Sequence, residues 1–305
     1  MALKDTMEFG FVLPCRSWAP IDVEHVGAVA KRADELGFRD LWVTENTIDE
    51  AYSFDPAVVL GYAAALTTRI RLGVSVVVLP VHSPVHVAHQ IATLDQMSKG
   101  RAILGVGLGR THHYADFGVP VEHRVSRFLE GVEVIKRLWT QPHAEFHGTY
   151  YDVEHGIALK PVQTPRPPIW LGGAHPNTLP RAARVADGWM GAGGSSWQQL
   201  REAIPALHEA LAKAGKEPKD FPISKRIFMS VHEKPEVAKA ELLRWFSEVY
   251  SNPEGIETHG FYGTPEQCRE YIEEAQAMGA THLLLNPILR YEEQLEALAE
   301  VVGFK

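Results

Sequence analysis

Short runs of β-branched and other apolar residues alternate along the chain with longer stretches in which apolar positions recur every three or four residues. The first pattern is typical of buried parallel strands, and the second is typical of the amphipathic helices that connect them. Eight runs, each followed by a helical stretch, predict an α/β fold, a (β/α)8 TIM barrel. A doubly wound open sheet is the alternative. The predicted strands are Glu8–Pro14, Arg39–Glu45, Ile70–Leu79, Ala102–Val106, Pro168–Gly172, Gly188–Ala192, Ile223–Val231 and Thr281–Asn286.

Local signals place the ends of several helices. Gly37 and Gly279 each follow a helical stretch, where a left-handed residue ends a helix without a Cβ penalty. Thr264-Pro265 has the cap and first-turn proline of a helix start. The predicted helices cover residues 21–36, 55–67, 84–98, 122–138, 177–185, 197–214, 235–250, 265–278 and 291–302.

One stretch interrupts the alternation of strands and helices. Residues 141–167 are rich in aromatic residues, glycine and then proline, and they predict an insertion with a short hairpin between the fourth helix and the fifth strand. We do not interpret this stretch as a linker. The 305 residues are therefore expected to form a single barrel domain with one insertion.

Composition narrows the possible surroundings and partners. A formal charge of −8 argues against a nucleic-acid surface, which usually needs a basic face. Cys15 and Cys268 form no disulfide framework, which fits a reducing compartment. The sequence has no apolar signal core at its start and no apolar run of membrane-spanning length. We expect a cytoplasmic protein without nucleic-acid or membrane partners.

A barrel of this type binds its ligand at the carboxyl ends of the strands. Glu45 and Asn46 end the second strand, where they are expected to face the ligand from the rim of the mouth; a loop cap is the alternative. After the fourth strand, the glycines around residues 105–109 resemble a dinucleotide-binding motif, but Arg110 replaces the last glycine. We interpret them as glycines that let the backbone pass close to a ligand.

The turn after the fifth strand runs from Gly173 to Thr178 and leads into a helix. Its N–H groups and the positive end of the helix dipole predict a phosphate site, although Asn177 or Thr178 could simply cap the helix.

Fifteen histidines require a metal site to be considered. His82, His86 and His89 have helical spacing, but His82 precedes the expected helix start and no H-E-x-x-H pattern is present, so no metal is expected. His112 and His113 follow the glycine turn at the mouth, where either could donate a proton, and a surface loop is the alternative.

Several segments, in order along nearly the whole chain, resemble the luciferase-like flavin and F420 oxidoreductases. These are Phe9–Pro14, Leu41–Glu45, Thr68–Gly73, Thr93–Arg101, Leu104–Gly109, Pro168–Gly173 and Ala186–Trp189, followed by a late helix start at Gly263–Glu266.

The resemblance implies a barrel that binds FMN or coenzyme F420 in its mouth. It also implies a cis peptide bond at Ser75–Val76 behind the cofactor ring. The phosphate would lie on the turn after the fifth strand, with help from the turn after the fourth. The residues expected to bind the cofactor are Ser75, Val76, Gly107, Leu108, Gly109, Arg110, Gly173, Ala174, His175 and Thr178.

Many members of this family have a catalytic histidine where this chain has Asn46, and an asparagine cannot take up a proton at neutral pH. The catalytic candidates are Glu45, Asn46, His112 and His113. We expect hydride transfer with F420 in preference to FMN, acting on a small molecule that contacts residues 110–122 and 141–165. The alternatives are an FMN monooxygenase fed by a separate reductase, and a flavin-binding protein without turnover. We also expect a homodimer.

Overall fold

The computed structural model describes residues 2–305, apart from the side chains of residues 112 and 113. Eight parallel strands close into a barrel, as the sequence predicts, and the open sheet is excluded. The strands are β1 (Glu8–Val12), β2 (Asp40–Val43), β3 (Arg71–Val74), β4 (Ala102–Gly107), β5 (Ile169–Gly172), β6 (Gly188–Gly191), β7 (Ile223–Val231) and β8 (His282–Asn286).

The strand pairing follows the chain order and then closes on itself. Each strand from β1 to β8 pairs with the next one, and β8 returns to β1 with Glu8 beside His282. Because all pairs are parallel, the carboxyl ends of the eight strands lie at one end of the barrel. The loops that follow them form the mouth.

Helices surround the barrel, and the nine predicted ones are present with ends within two residues of the prediction. Gly37 and Gly279 adopt left-handed conformations with φ of 100° and 104°, and Thr264 forms a capping box with Gln267. No helix of the described residues is long and apolar enough to cross a membrane. The helices are α1 (Val23–Leu36), α2 (Pro56–Leu66), α3 (Pro84–Ser98), α4 (Arg124–Thr140), α5 (Thr178–Val185), α6 (Trp197–Lys213), α7 (Pro235–Glu248), α8 (Ile256–His259), α9 (Pro265–Met278) and α10 (Tyr291–Val302).

Three features of the strands differ from the sequence prediction or go beyond it. The predicted third strand is not continuous, because the chain turns at Ser75–Val76 before Val77–Val78 pairs with β4. A short strand at Gly260–Gly263 was not predicted. It pairs with the upper half of β7, since β8 reaches only the lower half of that nine-residue strand. A further short pair joins Arg16–Ser17 to Tyr52–Ser53.

The stretch between α4 and β5 contains an antiparallel hairpin of Ala144–His147 with Asp152–Gly156. That this stretch is an insertion relative to other barrels stays a prediction, as does the single-domain organisation.

Side chains fill the inside of the barrel in layers. One apolar layer takes a residue from each of six strands, and the indole rings of Trp42 and Trp170 lie 5.2 Å apart at its centre. Below it lies a fully buried polar network in which Asp40 contacts His282, and His282 contacts Ser224. Side chains therefore fill the lower part of the barrel, and the cavities described below lie above the tryptophan layer. That layer consists of Val12, Trp42, Ile103, Trp170, Met190 and Leu284.

Candidate functional site

Two adjoining cavities open at the mouth of the barrel. The larger cavity, of about 410 Å³, lies over the ends of β3 to β7. The smaller cavity, of about 180 Å³, lies over the ends of β2 to β4 and reaches Tyr250. The two are continuous, because they share the lining residues Ser75, Val76, Gly109, Arg110 and Arg226.

The floor of the larger cavity is the turn at Ser75–Val76. The peptide bond between these residues is cis, as the family resemblance implies. The side chain of Val76 fills the space above two glycines, because a Cβ added at Gly107 or Gly172 would lie 2.6 Å from a Val76 methyl group. The Ser75 hydroxyl lies 3.0 Å from the Met190 sulfur. The two glycines thus set the height of the cavity floor.

The turn after β5 forms one wall of the larger cavity. Gly173 has a φ of 152°, and a Cβ there would lie 3.0 Å from the Thr178 hydroxyl oxygen. Asn177 is the N-cap of α5, but its side chain does not cap the helix. The backbone N–H groups of Ala174 and His175 have no acceptor among the described residues. Together with the helix N-terminus, these free donors can hold an oxyanion.

The larger cavity is strongly cationic. Four arginines line it, and no aspartate or glutamate does. Neither Arg124 nor Arg181 forms an ion pair within the described part of the chain. Apolar side chains such as Leu108 and Phe128 complete the lining. A group with a planar apolar part and anionic substituents fits this donor set. The four arginines are Arg110, Arg124, Arg181 and Arg226.

All ten residues that the sequence analysis assigns to the cofactor lie on the wall of the larger cavity. The structure therefore brings together residues from three separate loops. Their binding of a cofactor stays a prediction.

Glu45 differs from the rim carboxylate that the sequence predicts. Its side chain is only 6% exposed; Oε1 lies 2.7 Å from His82 Nε2, and Oε2 accepts the Val78 N–H at 2.9 Å. Strand β2 ends two residues earlier, so the loop carries Glu45 against the turn after β3 instead of leaving it in solvent. Glu45 still lines the smaller cavity, and it is also part of the folded framework.

His82 was not among the predicted catalytic residues. It precedes α3, as expected, and its ring packs edge-on against Phe117 with centroids 6.0 Å apart. The hydrogen bond with Glu45 raises the pKa of His82 above its ordinary value, against the opposite effect of burial. The one feature of the sequence that singles out His82 is its helical spacing from His86 and His89. That spacing is typical of a metal site and not of a proton-transfer pair. No group of three or more possible metal ligands is present among the described residues.

Three catalytic candidates remain. Asn46 lines the smaller cavity beside Glu45, and its side-chain amide donates to the Thr44 hydroxyl at 2.8 Å. His112 and His113 lie outside the described residues. Sequence reasoning also missed Arg226 and Tyr250, which line the smaller cavity from β7 and from the segment after α7. Neither lies at a strand end or in a glycine turn, so no local signal pointed to them.

Known proteins provide a comparison for this arrangement. Residues 7–254 match the family model described as luciferase-like monooxygenase. An F420-dependent glucose-6-phosphate dehydrogenase from Beutenbergia cavernae is 30% identical over 243 residues, which cover 77% of this chain and 70% of that protein.

Two similar structures share the fold. One is an F420-dependent secondary alcohol dehydrogenase in complex with an F420–acetone adduct, with a TM-score of 0.86 and 22% identity over 98% of this chain and 99% of that one. The other is the monooxygenase RslO1 from Streptomyces bottropensis, with a TM-score of 0.85 and 24% identity over 96% and 98%.

Proposed function

The chain belongs to the luciferase-like monooxygenase family, and we propose that within it the chain is an F420-dependent oxidoreductase that moves a hydride to or from a small organic substrate. The choice of F420 rests on the positive charge of the larger cavity. Four arginines line this cavity, and no aspartate or glutamate does. FMN has one phosphate group, whereas the side chain of F420 has a phosphodiester and glutamyl carboxylates. Several arginines along one open cavity suit the longer anionic chain.

Residues around the larger cavity would hold the anionic side chain of F420 and its planar ring in different ways. The turn from Gly173 to Thr178 supplies backbone donors for the phosphodiester. Arg124 and Arg181 line the same cavity and would bind the carboxylates of the side chain. Val76, whose methyl groups cover Gly107 and Gly172, would support the ring. When bound, F420 supplies a deazaflavin ring that exchanges hydride with the substrate.

Glu45 lines the smaller cavity, where it could accept a proton from the substrate or return one to it. An alcohol that gives up a hydride from carbon must also lose its hydroxyl proton, and a carboxylate at the smaller cavity can accept it. The N–H of Val78 and His82 hold this carboxylate in place. In the reverse direction, the same carboxyl returns the proton to a carbonyl oxygen. Asn46 can orient the substrate oxygen with its amide, but it cannot carry the proton.

An FMN-dependent monooxygenase is the second candidate, because the family model and one similar structure are described as monooxygenases. It would use the same cavity for the flavin and would draw reduced FMN from a separate reductase. Asn46 argues against this second candidate, because it occupies the position where the family resemblance implies a catalytic histidine.

Equilibrium binding of F420 and of FMN to the purified protein tests the cofactor. We expect F420 to bind at least about tenfold more tightly, and Arg181→Gln to weaken F420 binding about tenfold, the loss of one charge-assisted contact. Arg201→Gln, on the exposed face of α6, is the matched control and should leave binding unchanged. Tighter binding of FMN, or equal affinities of the Arg181 and Arg201 variants, would contradict the proposal.

A further inference from the structure

Arg226 points into the barrel at the junction of the two cavities. It lies on β7 two residues after Ser224, whose hydroxyl contacts His282 inside the barrel. Since alternate side chains of a strand lie on one face, Arg226 also faces the interior. It lines both cavities. The neighbouring Lys225 faces the other way and donates to the loop after β6, including the carbonyl of Ser195.

The positive charge of Arg226 is not compensated by the protein. Within the part of the chain that the structure describes, no carboxylate forms an ion pair with it. The face of Phe228 lies 5.3 Å from its guanidinium carbon, and Tyr250 lines the same smaller cavity. Burial lowers the pKa of Arg226, and the charges of Arg16 and Arg110 lower it further.

The acids of the smaller cavity are engaged elsewhere. Glu45 is paired with His82, and Asp49 accepts a hydrogen bond from Arg16 Nε at 2.6 Å. Arg16 also donates to the Tyr250 hydroxyl oxygen at 2.9 Å. Each of these two carboxylates thus has a basic partner, whereas Arg226 has no carboxylate partner among the described side chains. A half-buried charge without a carboxylate partner is unfavourable, so a bound anion at this place would stabilise it.

We propose that the substrate of this chain carries an oxyanion, a carboxylate or a phosphate, which Arg226 and Tyr250 bind at the smaller cavity. This inference deepens the proposed function and rests on it. An arginine guanidinium binds a planar or tetrahedral oxyanion through paired N–H donors. The Tyr250 oxygen accepts from Arg16, so its own O–H can donate to the same anion. Glu45, on the wall of the same small cavity, would then meet the reacting hydroxyl or carbonyl of the substrate.

Anion titration of the protein saturated with F420 tests the assignment. Acetate and inorganic phosphate are the two anionic probes, acetamide is the neutral isostere of acetate, and calorimetry measures the affinity. We expect one site for an anion and at least tenfold weaker binding of acetamide. The anion that binds more tightly, acetate or phosphate, indicates whether the substrate carries a carboxylate or a phosphate. Arg226→Gln should weaken anion binding at least tenfold, and Arg226→Lys should weaken it less. Arg201→Gln, on the exposed face of α6 and in neither cavity, is the matched control and should leave anion binding unchanged.

Three results would overturn the inference. They are no saturable anion binding to the wild-type protein, equal binding of acetate and acetamide, and a loss of F420 affinity in Arg226→Gln with anion binding unchanged. The wild-type comparison remains decisive even if the Arg226 variants fail to fold. If F420 does not bind at all, the proposed function fails. The same titrations of the protein without F420 then test Arg226 separately.

Discussion

The Nε2 atom of His82 lies 2.7 Å from the Oε1 atom of Glu45, and the pair connects the smaller cavity to the surface. The Glu45 side chain is 6% exposed and lines the cavity, whereas the His82 side chain is 31% exposed. The pair can therefore pass a proton between substrate and solvent. The family resemblance implies a histidine at the position of Asn46. We expect the imidazole of His82 to take over its role in proton transfer, with Glu45 between it and the substrate.

Replacement of His82 tests this role. His82→Gln should lower kcat about tenfold with little change in KM, because it removes the group that exchanges the Glu45 proton with solvent while the cavity walls remain. The measurement is the pH profile of steady-state F420 reduction or oxidation. His86→Gln, on the exposed face of α3, is the control. Identical pH profiles for the His82 variant and the wild-type protein would rule out a proton relay.

The same pair predicts a pH-dependent stability. The pKa of His82 is raised in the folded protein, mainly by its hydrogen bond with Glu45. The stabilisation is therefore fully present below the unfolded-state pKa and is lost as pH rises through the folded-state value. Urea unfolding of wild type and His82→Gln should differ by about 1 kcal/mol in acid and converge in alkali. A difference that grows with pH would contradict the assignment.

The polar network at the barrel floor should contribute much more to stability. Asp40 Oδ1 accepts from His282 Nε2 at 2.9 Å, and Oδ2 accepts from Arg71 at 2.8 Å. Burial alone would raise the pKa of Asp40, but His282 and Arg71 hold it well below its usual range. Asp40→Asn should lower the free energy of unfolding by about 3–5 kcal/mol, because it removes the buried negative charge that His282 and Arg71 both contact and leaves Arg71 paired with the more exposed Glu8.

The control for this network is Ser224→Ala, which removes one hydrogen bond and should cost about 1 kcal/mol. Urea denaturation measures both variants. Since the Asp40 pKa is lower in the folded state, its stabilisation is present above the unfolded-state pKa and is lost as pH falls through the folded value. Equal losses in the two variants would show that the charge of Asp40 is not important.

The glycines under Val76 should control cofactor affinity. A methyl group at Gly172 would lie 2.6 Å from the Val76 side chain and push it into the larger cavity. Gly172→Ala should therefore weaken F420 binding about tenfold or more. Gly61→Ala in α2 is the same change with no heavy atom within 4 Å, and it should leave binding intact. Unchanged F420 affinity in Gly172→Ala would mean that the ring does not rest on Val76.

The sequence predicts those parts of the fold and site that depend on local patterns. Helix ends at Gly37 and Gly279 and the N-cap at Thr264 follow from the conformations that these residue types favour. The glycine turns after β4 and β5 are recognisable for the same reason. The family resemblance, not periodicity, gave the position of the cis bond at Ser75–Val76.

Features that depend on distant contacts could not be predicted. Glu45 and His82 are 37 residues apart, and Asp40 and His282 are 242 apart. Nothing local in the sequence indicates that either pair meets. Arg226 lies within Ile223–Val231, whose sequence predicts an ordinary strand. Its charge lies at the mouth because the strands close into a barrel. Pairing across the barrel therefore determines the electrostatics of the site.

The most direct test of F420-dependent hydride transfer is the oxidation of reduced cofactor under strictly anaerobic conditions. Reduced F420 and reduced FMN are supplied separately with a panel of carbonyl acceptors, half of them bearing a carboxylate or phosphate, and their absorbance is followed with and without oxygen. We predict that reduced F420 is oxidised without oxygen, in proportion to the alcohol formed, and that reduced FMN gives no such turnover. Turnover that requires both oxygen and reduced FMN would contradict this account and favour the monooxygenase.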